Sequence, residues 1–173
     1  QHLGVTSLKG KKTKVLSEAL DRNISKPKFS KDGKSIYFLL EESGTSVLAS
    51  IDPSGNNLKR IIKGNISIGN YDFYEGGFTL LMGKSNRPDN LYTFQKNQLK
   101  ELTHVNDDVL EGVKKPVIEK INYNSADGTP VEGFVVKPID FKPAKKYPTI
   151  LWIHGGPTSQ YEFSFHSTAQ LYA

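Results

Sequence analysis

YPTILWIHGGP, residues 147–157, is the stretch that decides the fold expected of this chain. The five residues from Thr149 to Ile153 are β-branched, aromatic or Leu, with no alternation of polar and apolar positions. A run of this kind predicts a central strand buried on both faces, in a sheet that helices cover on both sides. The run stops at His154-Gly155-Gly156-Pro157, where two glycines permit unusual backbone angles and a proline fixes the exit.

The Gly-rich turn after this strand is the candidate functional element. Such a turn presents backbone N–H groups at the carboxyl edge of a sheet, where open α/β sheets bind ligands. An N–H aimed there can stabilise the negative oxygen of a tetrahedral intermediate, and losing one such donor costs about 3–4 kcal/mol of barrier. The alternative is an ordinary turn, which is what Gly-Gly-Pro after a strand most often marks.

Composition limits the classes of function. The chain has 173 residues, 36% of them hydrophobic and 24% charged, and it contains no Cys. Disulfides, thiolate metal sites and a Cys nucleophile are therefore excluded. We expect no cofactor and no metal, because the cluster Asn106-Asp107-Asp108 lacks the ligand spacing of a calcium loop.

The net charge of +5 comes almost entirely from Lys, with the densest cluster at Lys9, Lys11, Lys12 and Lys14. No aromatic residues interleave with this cluster, so a solvated hairpin turn on a sheet edge is favoured over a nucleic-acid patch. No apolar run approaches the roughly 20 residues that span a bilayer. We expect a soluble protein without membrane or nucleic-acid partners, in the cytoplasm, the periplasm or outside the cell.

Residues 21–104 carry an internal repeat. Matched positions lie 44 residues apart at first and 41 at the end: Phe29 with Phe73, Gly33 with Gly77, Ile36 with Leu80, Leu48 with Leu91, Ile51 with Phe94, Leu58 with Leu99 and Ile61 with Leu102. Four short strands in a period of about 40–45 residues predict a β-propeller blade. We expect two blades here, the tail of a preceding blade in residues 1–20, and further blades on the N-terminal side, since a ring needs at least four.

The residue composition changes after the predicted blades. Residues 105–116 are polar and end in Lys114-Lys115-Pro116, which indicates a linker. Residues 117–123 and 131–136 predict two strands around the turn Ser125–Pro130, and residues 167–173 favour a helix. The predicted fold class is therefore partial all-β propeller blades followed by a second domain that begins at Val117.

The order of these parts resembles the prolyl oligopeptidase family of serine peptidases. The most specific segments are SADGTPVEGFVVKP at residues 125–138 and YPTILWIHGGP, and the resemblance is strongest to the acylaminoacyl-peptidase and dipeptidyl-peptidase-like branch. It implies that residues 117–173 are the truncated N-terminal part of an α/β-hydrolase domain, over which the propeller sits as a lid. It also implies a serine-type peptidase that cleaves short or N-blocked peptides by acyl transfer.

The resemblance assigns site residues only within the turn. Gly156 matches the position whose backbone N–H serves the oxyanion hole, while His154 and Gly155 shape the turn and the His154 side chain is structural. No Gly-x-Ser-x-Gly motif occurs, and His166 near Ser164 and Ser167 makes no triad by proximity alone. We expect the nucleophile and the triad beyond Ala173, and the 173-residue chain by itself to be inactive.

Two other readings remain open from the sequence. A non-enzymatic propeller-like binding module would leave the apolar strand uncovered, and an esterase or lipase relative would not carry an N-terminal propeller. In each case we expect missing polypeptide or an oligomer to cover the open edges.

Overall fold

The computed structural model describes residues 1–10, 12–156 and 158–173, and most of its regular elements are strands. A first hairpin consists of β1 (Gly4–Thr6) and β2 (Thr13–Val15), followed by a 3-10 turn at Glu18–Leu20. The predicted Lys cluster lies in this hairpin: Lys9 and Lys12 are exposed in its connection, and Lys14 on β2 donates to the Ser54 carbonyl at 2.7 Å. Lys11 lies outside the described residues.

Two four-stranded antiparallel units follow the hairpin. The first contains β3 (Ile24–Phe29), β4 (Ile36–Glu42), β5 (Thr45–Ile51) and β6 (Lys59–Ile62), paired in chain order. The second contains β7 (Ser67–Tyr74), β8 (Gly77–Lys84), β9 (Arg87–Gln95) and β10 (Gln98–Glu101), also paired in chain order. A parallel pairing of Ser46 with Ser67 joins them, and these units are the two predicted propeller blades.

The core lies on both faces of the first blade. Along β4, Phe38 and Leu40 point to one face and pack with Leu3 and Leu16 of the N-terminal segment. Leu39 points to the other face, where it packs against β7 and β8 of the second blade. Because neighbours cover both faces, β4 carries the unbroken apolar run Ile36–Leu40, and β5 is buried at every residue from Ser46 to Ile51.

The predicted repeat is shifted between β3 and β4, where two matched pairs fail. Gly33 lies in the connection before β4, whereas its predicted match Gly77 is the first residue of β8. Phe29 pairs with Ile36 in the first blade and Phe73 pairs with Phe78 in the second, so Ile36 corresponds to Phe78 and the predicted match with Leu80 was wrong. The cause is a longer first connection, in which the Asp32 carboxylate accepts from Ser30 Oγ at 2.7 Å and the Lys34 N–H at 3.1 Å. The predicted match of Ile51 with Phe94 holds, since Ile51 pairs with Ile36 and Phe94 pairs with Phe78.

The second part of the chain begins with a short helix and a hairpin. Helix α1 (Asp107–Leu110) precedes β11 (Val117–Asn124) and β12 (Pro130–Lys137), which pair antiparallel from Val117–Lys137 to Asn124–Pro130. Helix α2 (Ser167–Tyr172) is the last element. The hairpin lies where the sequence predicts the first strands of the second domain.

The buried central strand predicted for Thr149–Ile153 is not present. These residues are in no strand, and Ile150, Leu151 and Ile153 are 65%, 83% and 75% exposed. A central strand needs hydrogen-bonded neighbours on both sides and covering helices. The strands β11 and β12 pair with each other, and no described residue forms a strand pairing with Thr149–Ile153.

Candidate functional site

The turn after Ile153 has the backbone geometry that requires glycine at one position. Gly156 has φ +70°, a region that residues with a Cβ rarely adopt, and the Ser159 N–H donates to its carbonyl at 3.3 Å. The Gly156 N–H donates to no acceptor among the described residues, and a Cβ built on Gly155 or Gly156 would meet no atom within 4 Å. The turn is thus open to a ligand. Pro157, predicted to fix its exit, lies outside the described residues.

His154 contacts an aromatic ring instead of a nucleophile. Its ring packs against Tyr161 with centroids 5.9 Å apart at 80°, and its Nδ1 lies 3.4 Å from the Gly155 carbonyl oxygen. Tyr161 in turn meets His166 at 5.8 Å, and His166 meets Trp152 at 5.1 Å. These edge-to-face contacts link the turn, the extended segment before it and the segment before α2.

His166 is used as a helix cap. Its Nδ1 accepts the Ala169 N–H at 3.3 Å at the start of α2. The neighbouring Ser164 and Ser167 make no recorded hydrogen bond to this ring within the described residues. The described part of the chain therefore holds no Ser–His pair that could activate a nucleophile.

The segment that follows the turn lies on the end of the first blade and reaches the start of the second. Asn23 Nδ2 donates to the Thr158 carbonyl at 2.6 Å, and Glu162 accepts a hydrogen bond from Ser67, the first residue of β7. Phe163 is buried, and its N–H donates to the Gly44 carbonyl at 2.8 Å. Gln160 contacts the same β4–β5 turn through both ends of its amide.

A polar network holds the end of the second blade to α1. Arg87 donates to Glu101 at 2.9 Å and to Asp107 at 2.8 Å, and Asn90 donates to Glu101 at 2.8 Å. Burial and the hydrogen bond to Glu101 raise the pKa of Tyr92 to about 12. The hydrogen bonds from Tyr92 and Asn90 and the charge of Arg87 outweigh burial and lower the pKa of Glu101, which keeps this carboxylate ionised.

Comparisons with known proteins were made for the whole chain. No family model matches it. It is 29% identical over 150 residues to the uncharacterized peptidase YuxL of Bacillus subtilis and 28% identical over 150 residues to dipeptidyl-peptidase 5 of Porphyromonas gingivalis, each match covering 86% of the chain. A solved acylaminoacyl peptidase in complex with Z-Gly-Gly-Phe-chloromethyl ketone superimposes with a TM-score of 0.79 and 26% identity over 94% of the chain. The predicted resemblance to prolyl oligopeptidase-family peptidases is confirmed.

The match extends over a small part of each relative. The chain spans 23% of YuxL, 22% of the dipeptidyl-peptidase and 25% of the acylaminoacyl peptidase chain. The structural superposition covers 94% of this chain, so it includes residues of both blades and of the part that begins at Val117.

Within residues 1–10, 12–156 and 158–173, no three His, Asp or Glu side chains lie close enough together to hold a metal ion. Neither α1 nor α2 has the length and apolar character to cross a membrane.

The contacts of Asn23, Gly44, Gln160 and Phe163 were not predicted from the sequence. Ser43-Gly44 between two apolar runs marks a hairpin turn, but nothing in the local sequence marks its partners more than a hundred residues away.

Proposed function

We propose that this chain is part of a serine peptidase that cleaves short or N-blocked peptides by acyl transfer. The carrying observation is the exposed turn at Gly156, with a left-handed φ and an N–H free of acceptors among the described residues. The names of the relatives support the substrate class, since they include a dipeptidyl-peptidase and an acylaminoacyl peptidase.

The Gly156 N–H acts as one donor of the oxyanion hole. When a serine oxygen attacks the peptide carbonyl carbon, a general base takes the hydroxyl proton and the C=O π electrons move to the carbonyl oxygen, which becomes an oxyanion. The Gly156 N–H donates to that oxygen. The intermediate then collapses: the C=O bond re-forms, the C–N bond breaks and the protonated base gives its proton to the leaving amine, which leaves an acyl-enzyme that water hydrolyses. One such donor contributes about 10²–10³ in kcat.

The test uses the full-length protein that contains this chain. We expect hydrolysis of dipeptidyl and N-acetyl-aminoacyl p-nitroanilides, little hydrolysis of p-nitrophenyl esters of long fatty acids, and covalent labelling of one serine by a fluorophosphonate. A folded full-length protein that cleaves neither anilide would overturn the proposal, and a strong preference for the fatty esters would favour an esterase. The isolated chain of residues 1–173 should turn over no substrate above an unfolded control.

Gly156→Ala tests the role of the turn. The substitution forces a Cβ into a left-handed position, so the chain relaxes and the N–H moves away from the oxyanion. We expect kcat to fall about 10- to 100-fold. Gly33→Ala is the matched control, because Gly33 has φ +68° and open space around it but lies in the distant β3–β4 connection. It should leave kcat unchanged, and an equal fall in both variants would refute the role of Gly156.

A further inference from the structure

The second part of the chain forms hydrogen bonds to four main-chain groups of the β4–β5 turn in the first blade. The Ser43 carbonyl accepts from Lys120 Nζ at 2.9 Å. The Gly44 N–H donates to Gln160 Oε1 at 3.2 Å, the Gly44 carbonyl accepts the Phe163 N–H at 2.8 Å, and the Thr45 carbonyl accepts from Gln160 Nε2 at 3.0 Å. We call this contact, made of residues 43–45 with Lys120, Phe134, Gln160 and Phe163, the Gly44 joint.

Packing at the Gly44 joint leaves no room for a larger residue. Gly44 is buried with φ +74°, and a Cβ there would lie 2.7 Å from Phe134 Cζ and 3.5 Å from the Tyr161 carbonyl oxygen. Phe134 on β12 packs edge-on against Phe163 with centroids 4.8 Å apart. The blade turn, the hairpin and the segment after Gly156 therefore meet at one point, where both backbone hydrogen bonds and aromatic contacts fix their positions.

Gln160 is the member closest in sequence to the turn. Only four positions separate it from Gly156, and the intervening Thr158 is also held, through its carbonyl, by Asn23 of the blade. A carboxamide can accept one hydrogen bond and donate others at once, and here it accepts from one residue of the turn and donates to the next. A side chain bound at both ends of its amide loses most of its freedom to move.

We propose that Gln160 is a positioning residue that holds the Gly156 N–H in place by fixing the following segment to the Gly44 joint. The proposal rests on the proposed function of Gly156. It makes the first propeller blade a part of the oxyanion-hole scaffold as well as a cover. A shift of about 1 Å in a reacting group can cost about 100-fold in rate, so loss of this anchor acts on kcat before it acts on substrate binding.

The experiment compares two Gln→Met variants in the full-length protein. Met has nearly the size of Gln but removes the hydrogen bonds to Gly44 and Thr45, together with the 3.2 Å bond that Gln160 Nε2 donates to Glu162. Gln160→Met should lower kcat about tenfold for an N-acetyl-aminoacyl p-nitroanilide, with KM within about twofold of the wild-type value. Gln170→Met is the control, because Gln170 also docks on the blades, through a 3.1 Å bond to the Ser85 carbonyl, but lies on α2. It should change kcat less than twofold.

A tetrahedral probe separates positioning from a general loss of structure. A peptide aldehyde with the same side chain forms a tetrahedral adduct, so its inhibition constant should rise about as much as kcat falls. The inhibition constant of the acid product, the N-acetyl-amino acid, should be the same for Gln160→Met and the wild-type protein. If Gln160→Met proves unfolded by circular dichroism, Gln160→Glu replaces it. Glu keeps the acceptor for Gly44, but it loses the donor to Thr45 and brings a second carboxylate next to Glu162, to which Gln160 Nε2 donates at 3.2 Å, so kcat should fall there too.

The proposal would be overturned by an unchanged kcat in Gln160→Met, whether or not KM rises. Equal losses of kcat in Gln160→Met and Gln170→Met would also overturn it. Hydrogen exchange over residues 154–158 on the same proteins distinguishes this proposal from the proposed function. If the wild-type protein cleaves no peptide, the proposed function fails, whereas unaltered exchange in Gln160→Met shows that Gln160 does not hold the turn.

Discussion

Replacing Gly44 by Ala should destabilise the protein more than the same change at Gly33, although both residues have φ near +70°. The shared part of the cost is the left-handed backbone, about 1–2 kcal/mol for a residue with a Cβ. Gly33→Ala should have no further cost in stability, since no atom lies within 4 Å of a Cβ at that position. This makes Gly33→Ala an internal measure of backbone strain alone.

At Gly44 the added methyl group also collides with the hydrolase-type hairpin. The Cβ would lie 2.7 Å from Cζ and 3.1 Å from Cε2 of Phe134, so the ring must move. Overpacking of this kind costs about 1–3 kcal/mol, and a displaced ring also weakens its edge-on contact with Phe163. We expect Gly44→Ala to lose about 2–5 kcal/mol of unfolding free energy, and Gly33→Ala about 1–2 kcal/mol.

Urea denaturation of both variants, followed by circular dichroism, measures the difference. Phe134→Leu then tests its cause, because Leu lacks the two ring atoms that the methyl group would meet. In that background Gly44→Ala should cost no more than Gly33→Ala, which gives a favourable coupling energy of about 1–3 kcal/mol in the double-mutant cycle. Equal losses at the two glycines, or additive effects with Phe134→Leu, would refute the packing described for the Gly44 joint.

Three further outcomes are expected. Phe38→Ala should cost about 3–5 kcal/mol in urea denaturation because Phe38 is fully buried, whereas Leu81→Ala, at a residue 38% exposed, should cost about 1 kcal/mol or less. Hydrogen bonds from the Ser54 hydroxyl and the Asn56 N–H lower the pKa of Asp52 to about 2. The stability that this carboxylate contributes is therefore complete above about pH 4 and is lost as the pH falls towards 2, so the melting temperature of Asp52→Asn should depend less on pH over that range than that of the wild-type protein. Amides of residues 149–153 should exchange rapidly in the 173-residue chain and slowly in the full-length protein, and equal rates in both would contradict a covered strand.

The blades could be predicted from the sequence because their contacts are local and repeated. Each strand pairs with the next one along the chain, so apolar spacing and turn residues determine most of the ladder. The error at Ile36 arose inside a connection, where the Asp32 carboxylate organises a longer loop than the corresponding turn before Gly77. Strand periodicity contains no information about the length of such a loop.

The Gly44 joint could not be predicted in this way. Gln160 and Thr45 are 115 positions apart, and their contact depends on the placement of two separately formed regions. A single Gln in a polar segment belongs to no periodic pattern of apolar residues. A Gly in a hairpin turn is expected whether or not an aromatic ring packs on it. The sequence therefore indicated where the turn at Gly156 lies but not what holds it.

The contrast between β4 and Thr149–Ile153 explains what an unbroken apolar run can predict. Both segments carry the same signal, and in β4 the fully buried Phe38 and Leu40 show that the run is satisfied, by β3 and β5 at its edges and by packed side chains on both faces. Around Thr149–Ile153 the described residues supply no strand partner, and Leu151 stays 83% exposed. The pattern thus indicates that a segment has to be buried, while the residues that bury it lie elsewhere in the protein. Because the Gly44 joint fixes the chain directly after the turn, the blade can hold the Gly156 end of this segment whether or not its strand partners are in place.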